Sequence, residues 1–157
     1  MPRLLEFGVP GFAINNALLG VIAKRLVRKV CEHCAQPDTP DADLLHSLGI
    51  DSSHEGSFMK AVGCPKCMSM GYKGRVGVYE LFKMTSKIKQ LIEASATSME
   101  IAQAARAEGT REMIRDGIDK AMLSLTTLEE IKKLHSTVDA VLAVEPDDAG
   151  NELKMSA

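Results

Sequence analysis

The sequence predicts a mainly α chain with a few short strands, an α+β arrangement organised around a tetracysteine module. Three observations predict it. Apolar residues recur at helix spacing from residue 85 to residue 135. One segment, "RVGVYELF" (75–82), alternates as a strand should. All four cysteines, Cys31, Cys34, Cys64 and Cys67, fall into two C-x-x-C pairs.

Taken in order, "LLEFG" (4–8) reads as the last turn of a helix, with Gly8 in the left-handed position that commonly closes one. "PGFAINNALLGVIAKR" then predicts a helix over 10–23. Pro10 suits its first turn, and Ile14, Ala17, Leu18, Val21 and Ile22 form one face. Phe12, Ala13 and Leu19 make other sides apolar, so this helix is expected to be largely buried. "RLVRKV" (25–30) reads as a short strand or helix end running into Cys31.

Residues 35–63 are rich in Pro, Asp, Ser and Gly, with one short helix expected in "DADLLHSLG", closed by Gly49. This stretch holds too few apolar residues for a core of its own. In the strand at 75–82, Val76, Val78 and Phe82 share a face, with Glu80 intruding. Ile88, Leu91 and Ile92 then mark a helix. "TSME" (97–100) is a capping box, in which the Thr97 hydroxyl accepts from the Glu100 amide while the Glu100 side chain reaches back. Ile101, Ala104 and Ala105 face inward, and Gly109 ends that helix. Ile114, Gly117, Ile118, Ala121 and Met122 form the next stripe. Gly117 costs about 1 kcal/mol against Ala inside a helix, so a closely approaching neighbour is its expected reason. "TTLEEIKKL" offers a second box, Thr126 with Glu129, and Leu128, Ile131 and Leu134 face inward. After His135 the pattern stops, and 137–157 is expected to be an acidic, disordered tail.

The 157 residues suffice for one domain or two small ones, and 45% hydrophobic with 25% charged residues is ordinary globular composition. A net charge of −2 gives no global pull toward nucleic acid or an anionic membrane. No apolar run reaches the ~18 residues of a membrane helix, and the N-terminus lacks a signal-peptide pattern. Charge is uneven: residues 1–30 carry a net +4, from Arg3, Lys24, Arg25, Arg28 and Lys29 against Glu6, whereas 137–157 carry −4. The basic cluster suits a solvated strand edge or a subunit interface. Too few aromatics accompany it for a nucleic-acid platform.

The cysteine pattern C-x2-C-x29-C-x2-C favours zinc. Two thiolates per knuckle, from two knuckles, complete a tetrahedron around one ion. Such an ion closes a polar loop that lacks a core, and four protein ligands leave no position for water, so the site would be structural. Two disulfides, a redox C-x-x-C or an iron–sulfur cluster are the alternatives. His33, His46 and His54 are spare ligands or plain loop histidines. No G-x-x-x-x-G-K-[ST], G-x-S-x-G, H-E-x-x-H or G-x-G-x-x-G is present. No catalytic or nucleotide-binding residue is assigned, and the chain is not expected to hydrolyse ATP by itself.

Three stretches carry a resemblance: "RLLEFGVPGFAINNALLGVIAKRLVRKVCEHC", "GCPKCMSMGYKGRVGVYELFKMTSKIKQLI" and "IAQAARAEGTREMIRDGIDKAMLSLTTLEEIKKL". Over residues 2–135 the chain resembles the C-terminal third of the traffic ATPases that drive type II secretion and type IV pilus assembly. Thr110 stands where that family usually has Met, and Ser124 where it usually has Gly. The resemblance implies a cytoplasmic hexamer of RecA-like subunits, peripheral to the inner membrane, that uses ATP and Mg2+ to move a membrane platform protein. The nucleotide motifs would lie N-terminal to this region, as in a truncated or split reading frame. Residues 1–30 would end the RecA-like core, and 31–74 would be the tetracysteine zinc module. Residues 75–136 would be a strand plus the helical C-terminal subdomain, and 137–157 the tail. Partners would be the rest of the hexamer and the platform protein, with no nucleic acid. Arg75 and Glu80 would help position the subunit interface or the surroundings of the nucleotide, or form an ordinary strand-edge pair. The alternative to this reading is a free-standing zinc-ribbon adaptor binding protein or nucleic acid.

Overall fold

The computed structural model describes residues 2–51 and 56–142, the last seven and Pro2 by backbone alone. Two short helices open the chain, α1 (Pro2–Glu6) and α2 (Gly11–Ala17). A long strand β1 (Gly20–Val30) leads into the first cysteine pair. The spacer holds β2 (Gln36–Asp38), α3 (Ala42–Ser47) and β3 (Phe58–Lys60). A 3-10 turn at Pro65–Cys67 carries the second pair, and β4 (Tyr72–Lys83) returns along β1. Four helices follow: α4 (Ser86–Glu93), α5 (Ser98–Ala107), α6 (Met113–Met122) and α7 (Leu128–Leu142).

The mixed helix-and-strand architecture is the α+β class expected, with one substantial redistribution. The helix expected over 10–23 stops at Ala17, and residues 20–23 belong to β1. The apolar residues of that stretch fit both periods, and pairing decides between them. β1 runs antiparallel to β4 from Gly20 opposite Lys83 to Arg28 opposite Arg75, with a bulge before Val30 meets Tyr72. At Gly20 an added Cβ would lie 2.8 Å from the Phe82 carbonyl oxygen, so the ladder begins where only glycine fits. The expected burial fails with the helix: Phe12, Leu19 and Ile22 are all more than half exposed.

One face of the β1–β4 ribbon turns Val27, Val76 and Val78 inward. Val78 is completely buried. Against them pack Met113, Ile118 and Ala121 of α6 and Leu128, Ile131 and Leu134 of α7. Among the described residues, the spacer has no core of its own. Leu44, Leu45 and Leu48 of α3, with Ile50 and Phe58, join this same cluster. Each fully buried Ile or Leu here is worth about 2 kcal/mol against exposure. A second, smaller cluster joins α4 to α5 through Ile88, Ile92, Ala104 and Ala105.

The local signals place the helix ends. Asp41 accepts from the Leu44 amide at the start of α3, and Gly49 sits at φ +64 beyond its end. The Thr97–Glu100 box is reciprocal, and Gly8 and Gly109 adopt the left-handed conformation. At α7 the cap lies one residue later than "TTLEE" suggests. The Thr127 hydroxyl accepts from the Glu130 amide, while Thr126 turns inward and donates to the Arg28 carbonyl at 2.8 Å. Gly117 meets its expected neighbour: a Cβ there would lie 2.8 Å from Ile131 Cδ1, so the glycine lets α6 and α7 touch. Helix α7 continues to Leu142, past the start of the expected tail. Residues 143–157, and with them the rest of that expectation, lie outside the described residues.

Candidate metal centre

The ribbon places both cysteine pairs. Beyond the bulge, Cys31 donates its amide to the Gly71 carbonyl at 2.9 Å, holding the end of β1 against the start of β4. The chain then turns tightly, with the Cys34 and Ala35 amides both donating to the Cys31 carbonyl. The second pair repeats this turn. Cys64 is extended, Pro65 opens the 3-10 turn, and the Cys67 and Ser69 amides donate to the Cys64 carbonyl. Met68 and Ser69 both take positive φ, 53° and 59°, which brings the backbone sharply round the sulfur of Cys67.

All four thiol sulfurs lie within 4.8 Å of one another, with Cys31 and Cys67 buried and Cys34 and Cys64 partly so. Sγ of Cys31 is 3.9 Å from that of Cys64, Cys34 is 3.8 Å from Cys67, and Cys64 is 3.7 Å from Cys67. A tetrahedron with metal–sulfur bonds of about 2.3 Å has edges of about 3.8 Å. The donor set therefore fits one tetrahedral thiophilic ion. The four cysteines are free thiols, which sets aside the disulfide alternative for this structure. The sulfurs sit too close together to surround an inorganic cluster.

Backbone amides support thiolate character. The Cys64 and Gly71 amides each point at Cys67 Sγ from 3.2 Å, and the Gly63 amide points at Cys34 Sγ from 3.3 Å. Burial opposes ionisation of Cys67, but its two amide donors and neighbouring thiols prevail and bring it down to about 6. Burial, together with the three other thiols, pushes Cys34 up to about 12. A bound cation's charge favours loss of the remaining protons.

His33 stands outside the sulfur group, with Nδ1 3.5 Å from Lys66 Nζ. His46 lies exposed on α3, and His54 falls outside the described residues. Arg75 and Glu80 do not pair. Arg75 is exposed opposite Arg28, and the Glu80 carboxylate accepts from the Met113 amide at 3.3 Å. That contact supplies a cap that α6 lacks, since Glu112 at its own N-cap makes no capping bond and pairs instead with Arg106 at 2.6 Å.

One joint beside the centre has no local signature in the sequence. The Arg28 guanidinium lies 4.0 Å from the Tyr72 ring and binds Glu130 at 2.6 Å, while the Tyr72 hydroxyl lies 3.0 Å from that of Thr127. The Val30 amide donates to the Leu125 carbonyl at 3.1 Å. The start of α7 is thus fastened to the strands that carry the cysteines. The hint the sequence offers is slight: of the two acids between Leu128 and Ile131, Glu129 is exposed and Glu130 is buried.

The sequence profile for "Type II/IV secretion system protein" matches residues 1–133. The chain belongs to the type II/IV secretion system protein family. It is 41% identical to the type IV pilus assembly ATPase PilB of Thermus thermophilus over 131 residues, 82% of this chain and 15% of that protein. To PilB of Pseudomonas aeruginosa it is 40% identical over 137 residues, 85% of this chain and 24% of that one. To the type II secretion system protein E of Pectobacterium carotovorum it is 39% identical over 133 residues, 83% of this chain and 26% of that protein. The chain thus spans between about one seventh and about one quarter of the length of these relatives. In this member of the secretion family, all four cysteines lie inside the matched region. Among the described residues, no helix is long and apolar enough to cross a membrane.

Proposed function

We propose that this chain is the zinc-stabilised, non-catalytic C-terminal region of a hexameric ATPase that powers type II secretion or type IV pilus assembly. The observation that carries the reading is the meeting of four sulfurs at tetrahedral spacing inside the family match. Cys31, Cys34, Cys64 and Cys67 would hold one Zn2+, which supplies a covalent-strength tie between the end of β1 and the start of β4. In this reading residues 1–30 close the RecA-like core, 31–74 form the zinc module and 75–136 the helical subdomain. ATP and Mg2+ belong to the part of the parent that carries the phosphate-binding loop. The rest of the hexamer and an inner-membrane platform protein are the partners, and the parent works in the cytoplasm at that membrane.

The chemistry of the module is mechanical. Its ion fixes the end of a ribbon whose other end faces the α4–α5 helices, and the Arg28–Glu130 joint passes that constraint to α7. Purified under reducing conditions, the chain should contain one equivalent of zinc and turn over no ATP. Measurable turnover would overturn the non-catalytic part of the reading, and zinc-free protein the zinc part.

A further inference from the structure

We propose that the acidic residues 143–157 dock on a cleft beside the start of α6. The cleft has a volume of about 650 Å3. Leu48, Ile114 and Ile118 give it an apolar lining, and Arg106, Arg111 and Arg115 bring three guanidiniums to it. One acid, Glu112, lines it as well.

The arginines differ in what they already hold. Arg106 pairs with Glu112 at 2.6 Å and Arg111 pairs with Asp119, but each of these four side chains is more than a third exposed. Exposed pairs of this kind contribute little and can exchange one carboxylate for another. Arg115 is exposed too, and among the described residues its guanidinium has no partner.

The path of the chain leads residues 143–157 to this place. Helix α7 starts beside Arg28 and Tyr72, at the cysteine end of the ribbon, whereas α6 starts beside Glu80, farther along β4. The two helices touch where Gly117 meets Ile131, so α7 runs back along α6 toward the cleft. Leu142 lies eleven residues past Ile131, about 16 Å of helix, and Met113 lies four residues before Gly117, about 6 Å. Helix α7 therefore ends beyond the start of α6. Leu134 of α7 shares a cluster with Leu48, which lines the cleft. Fifteen further residues span up to about 50 Å when extended, so the cleft is well within reach.

Charge decides the occupant. Residues 143–157 carry Glu145, Asp147, Asp148 and Glu152 against Lys154, a net of −3. Their carboxylates match the fork of a guanidinium, and Val144 and Leu153 bring apolar groups suited to the lining. These residues lie outside the matched region 1–133, so the inference stands apart from the ATPase reading.

The test is amide NMR of the zinc-loaded full-length chain against a variant with neutralised acids: Glu145→Gln, Asp147→Asn, Asp148→Asn and Glu152→Gln. At low salt the two should differ in shift at residues 106–115 and at Gly49, independent of protein concentration. The differences should fade as salt screens the charges. Arg115→Gln removes the unpartnered cation. It should move the other cleft signals toward the neutralised spectrum, lowering the docked-to-free ratio about fivefold. Lys24→Gln removes a charge likewise exposed, on the ribbon, and should leave the signals in place. Tripolyphosphate, added as a rival anion, should perturb the cleft of the neutralised variant at about fivefold lower concentration than that of the wild type. Identical cleft signals in wild type and neutralised variant overturn the proposal. So does a difference unmoved by Arg115→Gln, one that Lys24→Gln abolishes as fully, or equal sensitivity of both chains to tripolyphosphate. A difference that grows with protein concentration would assign the cleft to residues 143–157 of a second copy and overturn it as well.

Discussion

The carboxylate of Glu130 and the guanidinium of Arg28 meet at 2.6 Å across 102 positions of sequence, and Glu130 also accepts the Arg28 amide at 3.3 Å. The acid sits on the first turn of α7 with only 9% of its side chain exposed, and Arg28 is 45% exposed. The pair fastens the helix that completes the larger core to the strand that ends at Cys31.

Its pH dependence follows. The Arg28 hydrogen bond, helped by Lys133, overcomes burial and holds Glu130 at about 2 in the folded chain. The unfolded carboxyl titrates near 4.3. A depressed folded value stabilises the fold fully above the unfolded value, and that stability is lost as pH falls from about 5 toward 2. Allowing for screening at the half-exposed arginine, the loss is about 2 kcal/mol. Urea unfolding of the wild type and Glu130→Gln across this range should show the wild type alone losing the increment. Parallel acid dependence in both would assign the effect to other carboxylates.

Gly117→Ala should destabilise the chain by about 1–2 kcal/mol. The gain in helix propensity is about 1 kcal/mol, but the new methyl meets Ile131 Cδ1 at 2.8 Å and two further Ile131 carbons at 3.2 and 3.3 Å. Ile131→Val removes Cδ1, so the double variant should be less destabilised than the sum of the two singles. A double-mutant cycle with no coupling would show that the contact is not what excludes alanine.

Ser124→Gly should raise stability by about 0.5–1 kcal/mol. Ser124 holds φ +58 in the turn between α6 and α7, where a side chain is strained and glycine is not. The gain, read as a higher melting temperature, is partly offset by the freer unfolded chain. An unchanged or lower melting temperature would mean that the turn relaxes without cost.

Cys64→Ser leaves three thiolates and should loosen far more than the loop around them. Leu44, Leu45, Leu48 and Phe58 of the spacer share a core with α6 and α7, so amide exchange should quicken in β1, β4, α6 and α7 together. The α4–α5 pair has its own cluster and should keep its protection. Exchange confined to residues 31–74 would show that the spacer is an independent module.

Much of this was legible in the sequence because it is local. The caps at Asp41 and Thr97, the left-handed glycines at 8, 49 and 109, and the inward stripes of α4 to α7 each follow from neighbours within four residues. So does the pairing of the thiols within each C-x-x-C, whereas the meeting of the two pairs depends on β1 and β4 coming together. What misled was non-local. "NNALLGVIAKR" supports a helix until β4 arrives to pair with it, and the choice between Thr126 and Thr127 as cap depends on Arg28, nearly a hundred residues away. The shared core of α3 with α6 and α7 was hidden for the same reason. Five apolar residues in a polar spacer look too few only until the helices that cover them are counted.

The central claim is a single ion held by four sulfurs, and X-ray absorption at the zinc edge of the purified, reduced chain tests it most directly. The account predicts one zinc per chain with four sulfur neighbours at about 2.3 Å. A shell containing nitrogen or oxygen, or protein that holds no zinc while its ribbon and helices remain folded, would contradict it.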